Sequence, residues 1–363
     1  MSNKKNIRIL HTEWSDGWGG QEIRIINEIK ALRLEGIEVF LACRNFSKIK
    51  EAALQEKIKV FILPFRGNID IKTVFLLRRI ILDNSIDIVN THSGKDTWVG
   101  GFAAKLTGAK FIRTRHLSNK IKSSKLNFIN ELTDCIFSTG EKVKVDMIKY
   151  NRIDKNKIIS IPTGIDETIF NPEIYDREDC RKKLKLNQNE IAIGVLAVLR
   201  KFKRHDLFLE MAKMLVMKFP EKKLVFFIAG DGPQKEKIKK IIAEYDLTSH
   251  VRMEGHIDNV PEFLSAIDIL VLSSDSKEGV PQSVMQGLFM NKQVVATDSG
   301  STSDLFYENN FQLIEKGSVT ALVDGVSFYL NNSITVSSRQ FMLSNFSLPV
   351  MVNKILSSYK AIL

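Results

Sequence analysis

The chain has 363 residues, 44% of them hydrophobic and 26% charged, ordinary values for a folded globular protein of about two domains, which excludes disordered, collagen-like and disulfide-scaffold classes. The formal net charge is +11, with 29 Lys and Arg against 19 Asp and Glu in residues 1–172 and 24 against 23 in residues 173–363, so any attraction to phosphate-rich surfaces belongs to the first half. Cys43, Cys135 and Cys180 are odd in number and lack a C-x-x-C pair, which argues against a disulfide framework or thiolate metal site and for a reducing compartment.

Residues Met1–Trp14 carry only a short apolar run, and no stretch approaches the roughly 18 apolar residues of a membrane span, so a cytosolic-type protein is expected. Strands are expected at Ile7–His11, Glu38–Cys43, Lys59–Leu63, Asp87–Thr91, Lys110–Thr114, Asp134–Ser138 and Lys157–Ile161, where short β-branched runs recur. Each is followed by a turn or a helical pattern, the longest at Gln21–Glu35, stopped by Gly36, and at Asp70–Asp83. The turn after the first strand, Trp14-Ser15-Asp16-Gly17-Trp18-Gly19-Gly20-Gln21-Glu22, opens a helix. It reads either as a tight connection or as a cradle that brings backbone N–H groups to an anion. Between Thr97 and Asn130 there is no acid but seven bases: Lys105, Lys110, Arg113, Arg115, Lys120, Lys122 and Lys125. That stretch is a solvated face or a contact for an anionic membrane leaflet or acceptor; no helix-turn-helix, zinc or RNA-recognition signature accompanies it, so nucleic acid is not expected as a partner.

Turn residues from Pro162 through Gly164, Asp166, Asn171 and Pro172 interrupt the alternation and read as a linker, giving an N-terminal domain over 1–170, a C-terminal domain over 171–348 and a last helix over 349–363 that crosses back to the first. The second half restarts with strands at Ile191–Val198, Lys223–Ala229, Val251–Glu254, Ile267–Leu272, Gln293–Thr297 and Phe311–Ile314, and helices at His205–Phe219, Gln234–Tyr245, Pro261–Ala266, Pro281–Met290 and Val319–Leu330. Alternating strands and helices predict an α/β protein with two doubly wound parallel sheets, whose ligands bind beyond the carboxyl ends of the strands. The loop Arg200-Lys201-Phe202-Lys203-Arg204-His205 supplies forks and point charges for a pyrophosphate leaving group, or is a basic solvated loop. Gly230-Asp231-Gly232-Pro233 reads as a structural turn. The stretch Ser273–Gly287 places Glu278 before a helix that Pro281 opens, with the backbone of Gly279, Val280, Gln282 and Ser283 at its positive end and Gln286 one and a half turns in.

In order along essentially the whole chain, these segments resemble the retaining, nucleotide-sugar-dependent glycosyltransferases of family 4 (group 1), which have the two-domain GT-B fold. Gly19-Gly20-Gln21-Glu22 looks like that family's first loop, near donor phosphate and acceptor. Ile161-Pro162-Thr163-Gly164-Ile165-Asp166 with Phe170 looks like its I-P-N-G-I-D-x-x-x-F segment, and Gly230–Pro233 like its G-x-G-P turn. Asp268-Ile269 with Ser273-Ser274 matches its D-I-x-x-x-x-S strand, Glu278-Gly279-Val280-Pro281 opens its E-x(7)-E signature, and Val294–Gly300 matches its V-V-A-T-x-x-G. Two departures stand out. Gln286 occupies the second glutamate position, where an amide still accepts a hydrogen bond but also donates, and the arginine of the basic loop, Arg200, is displaced by two positions while Lys203 keeps register.

The resemblance implies that Glu278 holds donor-sugar hydroxyls, Lys203 and Arg200 the leaving phosphate, and His116 in Arg113-Thr114-Arg115-His116 the donor sugar, His92 being the second such candidate. Read alone, both are ordinary structural histidines. It further implies a nucleobase held by backbone around Glu254-Gly255-His256 and closure of the two domains to exclude water. With no D-x-D pair and no histidine cluster of metal spacing, no metal or other cofactor is expected to be required, the nucleoside-diphosphate sugar serving as co-substrate. The implied activity is transfer of a sugar to a hydroxyl of a bacterial cell-envelope glycan of lipopolysaccharide-core, O-antigen or capsule type, glycan or lipid-linked, in the cytoplasm or peripheral on the inner face of the cytoplasmic membrane through residues 105–125. A nucleotide-sugar epimerase of the same fold and a catalytically silent nucleotide-sugar-binding subunit are the alternatives.

Overall fold

Thirteen strands form among the described residues, all in parallel pairs, and they build two separate sheets. The computed structural model describes residues 7–116, 125–276, 278–332, 334 and 337–363. In the first unit, β1 (Arg8–Glu13), β2 (Glu38–Cys43), β3 (Lys59–Ile62), β4 (Ile88–Thr91), β5 (Lys110–Arg115), β6 (Cys135–Ser138) and β7 (Ile158–Ser160) are ordered 3-2-1-4-5-6-7. The helices between them are α1 (Gly20–Leu34), α2 (Lys48–Gln55), α3 (Ile71–Asp83), α4 (Gly94–Lys105) and α5 (Glu141–Asn151). The chain order reverses beside β1, so the β1–β4 edge is the switch point at which such sheets bind ligands.

The second unit carries α6 (Arg177–Lys183), β8 (Glu190–Leu196), α7 (His205–Lys218), β9 (Lys223–Ala229), α8 (Lys235–Glu244), β10 (Val251–Gly255), α9 (Val260–Ala266), β11 (Ile269–Leu272), α10 (Gln282–Phe289), β12 (Gln293–Thr297), β13 (Gln312–Ile314), α11 (Val319–Asn331) and α12 (Arg339–Phe346). Its strand order is 10-9-8-11-12-13, with the switch between β8 and β11. The last helix, α13 (Leu348–Ile362), belongs to the first unit.

Both sheets are buried on both faces, which is why their strands read as near-continuous apolar runs. In the first unit, Ile25 and Ile29 of α1, Ile49 of α2 and Met351, Ile355 and Tyr359 of α13 pack on one face, while Leu77 and Ile81 of α3 and Val99 and Ala103 of α4 pack on the other. In the second, successive residues of β12 separate the layers: Val295 joins the core under α7 and α11, whereas Val294 and Ala296 join the core under α9, α10 and α12.

The boundaries differ from the sequence-based division. The units are 1–164 with 348–363, and 165–347. Residues 165–170 belong to the second because Ile165 N donates to Phe346 O at 2.9 Å and the Arg339 guanidinium donates to the carbonyls of Glu167 and Phe170. Four helices that the sequence reading left as turns or unspecified patterns, α2, α4, α5 and α6, are formed, as is α12.

Candidate functional site

At the carboxyl end of β11 the chain enters Ser273 and Ser274, both buried. Ser273 Oγ donates to the carbonyls of Lys203 (2.9 Å) and Arg204 (3.0 Å), and Asp275 N donates to Phe202 O (3.0 Å), so the basic loop after β8 is fastened to this strand end. The fastening brings Lys203 Nζ to 2.6 Å from Glu278 Oε1, and Ser274 Oγ donates to the same oxygen at 2.6 Å. Both charges are largely shielded from solvent. An ammonium has three donors and a carboxylate about four acceptor positions, so each retains hydrogen-bonding capacity beyond these contacts.

The loop holding Glu278 is fixed from behind. Gly300 adopts φ +61°, and a Cβ there would stand 1.9 Å from Glu278 O; Ser301 N donates to Gly279 O at 3.1 Å. α10 opens at Gln282, just past Pro281, so its positive end adjoins the Glu278 loop. Of the residues expected here, Gly279 and Ser283 line this turn, as does Gln282. The Val280 side chain is buried in the apolar core, which leaves its backbone, the part expected to meet a ligand, at the turn. Gln286 is half-buried on α10, and its amide makes no hydrogen bond among the described residues. Gly255 ends β10, where its carbonyl accepts from Gly230 N at 2.6 Å. The Gly230–Pro233 turn is structural, since Leu199 N donates to Asp231 O and Gln234 N to Leu199 O, both at 3.0 Å, bracing the basic loop.

Arg200 is not brought to the Lys203–Glu278 pair. It is exposed at the start of the 3-10 turn Lys201–Lys203 and opens instead onto a pocket of about 190 Å³ with Lys201, Arg204, His205 and Asp206. In that pocket the Arg204 guanidinium is already neutralised by Asp206 (2.9 Å) and Asp275 (3.4 Å). His205, which sequence reasoning passed over, is buried with both ring nitrogens unpartnered among the described residues, and burial pulls its pKa down to about 4.

In the first unit, adjacent strands β1, β4 and β5 carry a hydrogen-bonded chain of three imidazoles. His11 Nδ1 lies 2.8 Å from His92 Nε2, and His92 Nδ1 3.0 Å from His116 Nε2, with the rings of the first pair stacked. Burial foremost, then the Arg24 charge, lowers the His11 pKa to about 3; burial first also holds His92 and His116 well below the usual histidine range. The chain therefore presents His116 as a neutral imidazole. His11 carried no signal in the sequence, because only the strand register unites the three.

The glycine-rich turn starts α1, with Gly19 extended at its N-cap and Gly20 its first, exposed residue. Glu13 anchors that turn, accepting from Ser15 N (2.7 Å) and from the Gln21 amide. Burial, with the nearby Asp96 charge, pushes the Glu13 carboxyl up to about 8. Asp96 itself accepts from Thr12 Oγ1 (2.7 Å) and the backbone of His92 (2.9 Å) and Ser93 (2.8 Å), tying β4 to α4.

The basic stretch 105–125 is described only in part. Lys105 is paired with Asp134 (2.7 Å), Arg113 is buried against the Asn130 amide, and burial lowers the pKa of Arg115. Lys120 and Lys122, and the side chain of Lys125, lie outside the described residues. Among the described residues no three His, Cys, Asp or Glu side chains converge as a metal site, and no helix is long and apolar enough to cross a membrane.

Comparison with known proteins agrees with this layout. Residues 176–342 match the family described as "Glycosyl transferases group 1", and residues 18–168 match "Glycosyltransferase Family 4". The chain belongs to the group 1 glycosyltransferases. This glycosyltransferase is 26% identical, over 99% of its own length and 98% of the relative's, to the Escherichia coli UDP-Gal:alpha-D-GlcNAc-diphosphoundecaprenol alpha-1,3-galactosyltransferase. Among solved structures it resembles a Rickettsia africae glycosyltransferase with a TM-score of 0.89 at 22% identity, each chain 98% covered. It also resembles an Anabaena protein solved in complex with UDP and glucose, with a TM-score of 0.84 at 15% identity, 98% of this chain and 100% of that one being covered. The glycosyltransferase has the GT-B fold of two Rossmann-like units.

Proposed function

We propose that this glycosyltransferase is a retaining enzyme that moves a sugar from a nucleoside diphosphate onto a hydroxyl of a lipid-linked cell-envelope glycan, of lipopolysaccharide-core, O-antigen or capsule type, at the inner face of the cytoplasmic membrane. The observation that carries the reading is the Lys203–Glu278 pair, seated at the positive end of α10. The E. coli relative, whose printed name specifies a UDP-galactose donor and an undecaprenyl-linked acceptor, supports the donor and acceptor classes.

In the proposed step the acceptor oxygen bonds to the anomeric carbon as its bond to the diphosphate oxygen breaks, and the acceptor proton passes to the departing phosphate oxygen on the same face. Lys203 and the α10 backbone stabilise the charge that develops on the phosphate. Glu278 accepts from donor-sugar hydroxyls, and the neutral His116 contacts the sugar. Gln286 takes the ribose position, and no metal or other cofactor is required.

The test is a screen of UDP-, GDP- and ADP-sugars by thermal shift and donor hydrolysis with EDTA present, followed by transfer to a prenyl-diphosphate glycan and determination of the product's anomeric configuration. One donor should raise the melting temperature by mass action and release sugar slowly, and the product should keep the donor's anomeric configuration. Lys203→Ala and Glu278→Ala should each lower kcat/KM about 100-fold or more. Wild-type transfer by both variants would overturn the site assignment. Donor binding without hydrolysis or transfer would favour the silent subunit, a reading to which the position of Arg200 gives some support.

A further inference from the structure

The outward face of α3 is built unlike the exposed helix faces of an ordinary soluble domain. Its start is fixed by Asp70, whose carboxylate accepts from Thr73 N (3.1 Å) and Thr73 Oγ1 (2.6 Å), and Leu77 and Ile81 seat the helix in the core. With those positions turned inward, 71, 75, 78 and 82 form one line on the opposite side. They are Ile71, Phe75, Arg78 and Leu82, the three apolar side chains being 65, 60 and 49% exposed, and Ile69 just ahead of the helix is 90% exposed. Lys72 and Arg79 flank the line and are also exposed. Of the acids nearby, Asp70 is turned inward as the cap and Asp83 pairs with Arg79 at 3.4 Å in an exposed contact, which leaves Lys72 and Arg78 with no acid paired to them among the described residues.

Single exposed apolar residues need no explanation, but several large ones interleaved with cations on one helix ask for an occupant that is apolar and anionic at once. A second copy of the chain does not fit, because a two-fold contact would set Lys72, Arg78 and Arg79 against their own counterparts, and the centres of protein interfaces are depleted of such charges. A bilayer with anionic headgroups fits both halves of the pattern. We propose that the α3 face docks on an anionic lipid surface, with Ile71, Phe75 and Leu82 entering the headgroup–acyl boundary and Lys72, Arg78 and Arg79 meeting lipid phosphates. This places the membrane contact on α3 and not on the stretch 105–125, where Lys105 and Arg113 are engaged within the fold. It draws its biological use from the lipid-linked acceptor reading, but its geometry is independent of it.

The experiment is vesicle flotation of the full chain with phosphatidylcholine alone and with added phosphatidylglycerol, no acceptor being present, alongside a donor thermal-shift measurement. The wild type should float only with phosphatidylglycerol and detach in high salt. Ile71→Glu with Phe75→Glu, and separately Arg78→Glu with Arg79→Glu, should reduce the bound fraction about tenfold while the donor-induced shift persists, since none of these side chains is buried. Absence of wild-type flotation, or variants that bind as the wild type does, would overturn the proposal; so would a wild-type dimer in solution that Phe75→Glu dissociates, which would assign the face to a second copy. A donor shift that is absent while flotation behaves as expected would instead count against the reading of the reaction alone.

Discussion

His11, His92, His116 and His205 are all held neutral, chiefly by burial. Their folded pKa values lie below the unfolded value of about 6.5, so the stability they contribute is complete above pH 6.5 and is lost as pH falls toward 4, by up to roughly 1.4 kcal/mol per pH unit for each group. Glu13 acts in the opposite sense. Its carboxyl, raised to about 8 from an unfolded value near 4.5, keeps its proton in the folded chain, so its contribution is complete below pH 4.5 and is lost as pH rises through 8. Urea unfolding at pH 5, 6.5 and 8 should therefore show a stability maximum for the wild type, and Glu13→Gln should abolish the decline between pH 6.5 and 8 while leaving the acid limb in place. An unchanged alkaline limb in the variant would show that Glu13 does not titrate there. At this scale Glu278 and Lys203 stood out in the sequence as a carboxylate before a helix and a base in a charged loop, and His116 only through the family resemblance. The sequence hid Glu13 and His11, whose chemistry arises from burial and strand register, and it could not show that Arg200 turns toward another pocket.

The most demanding element is the turn after β12. Because Gly300 is left-handed and its missing Cβ leaves room for the Glu278 carbonyl, Gly300→Ala must displace the Glu278 loop in addition to straining the backbone. We expect that variant to lose about 100-fold or more in kcat/KM with a folded core by circular dichroism; wild-type activity would mean that the loop position is unimportant to the reaction. Glycine also explains where helix reading failed. Gly100 and Gly101 in α4 look like helix breakers, yet Cβ atoms there would stand 2.7 Å from Thr91 and 2.6 Å from Phe111, so they permit the close seating of α4 on β4 and β5. Strands were legible because burial on both faces makes them continuous apolar runs. Helices such as α5 and α6, short and highly charged, carry too little apolar periodicity to announce themselves.

At the scale of the whole molecule, the first unit depends on a helix that lies 183 residues beyond the rest of it, counting 165 through 347. α13 buries Met351, Val352, Ile355 and Tyr359 on the sheet. Losing such side chains costs about 2–5 kcal/mol apiece, together comparable to the roughly 5–15 kcal/mol that holds a typical domain folded. A chain ending at Ser347 should therefore lose the first unit's cooperative melting transition and keep that of the second, as differential scanning calorimetry would resolve; two intact transitions would show that α13 is dispensable.

The same arrangement fixes the order in which the polypeptide matures on the ribosome. At about 5–20 residues per second, synthesis needs roughly 10 to 40 seconds to pass from Gly164 to Leu348, and throughout that interval the nascent first sheet has one flank open. Its partner unit becomes complete first, although it is made second. Apolar residues such as Ile9, Ile112 and Phe137, which share a core with α13, lie beneath that open flank, where a chaperone that captures nascent chains would find its opening.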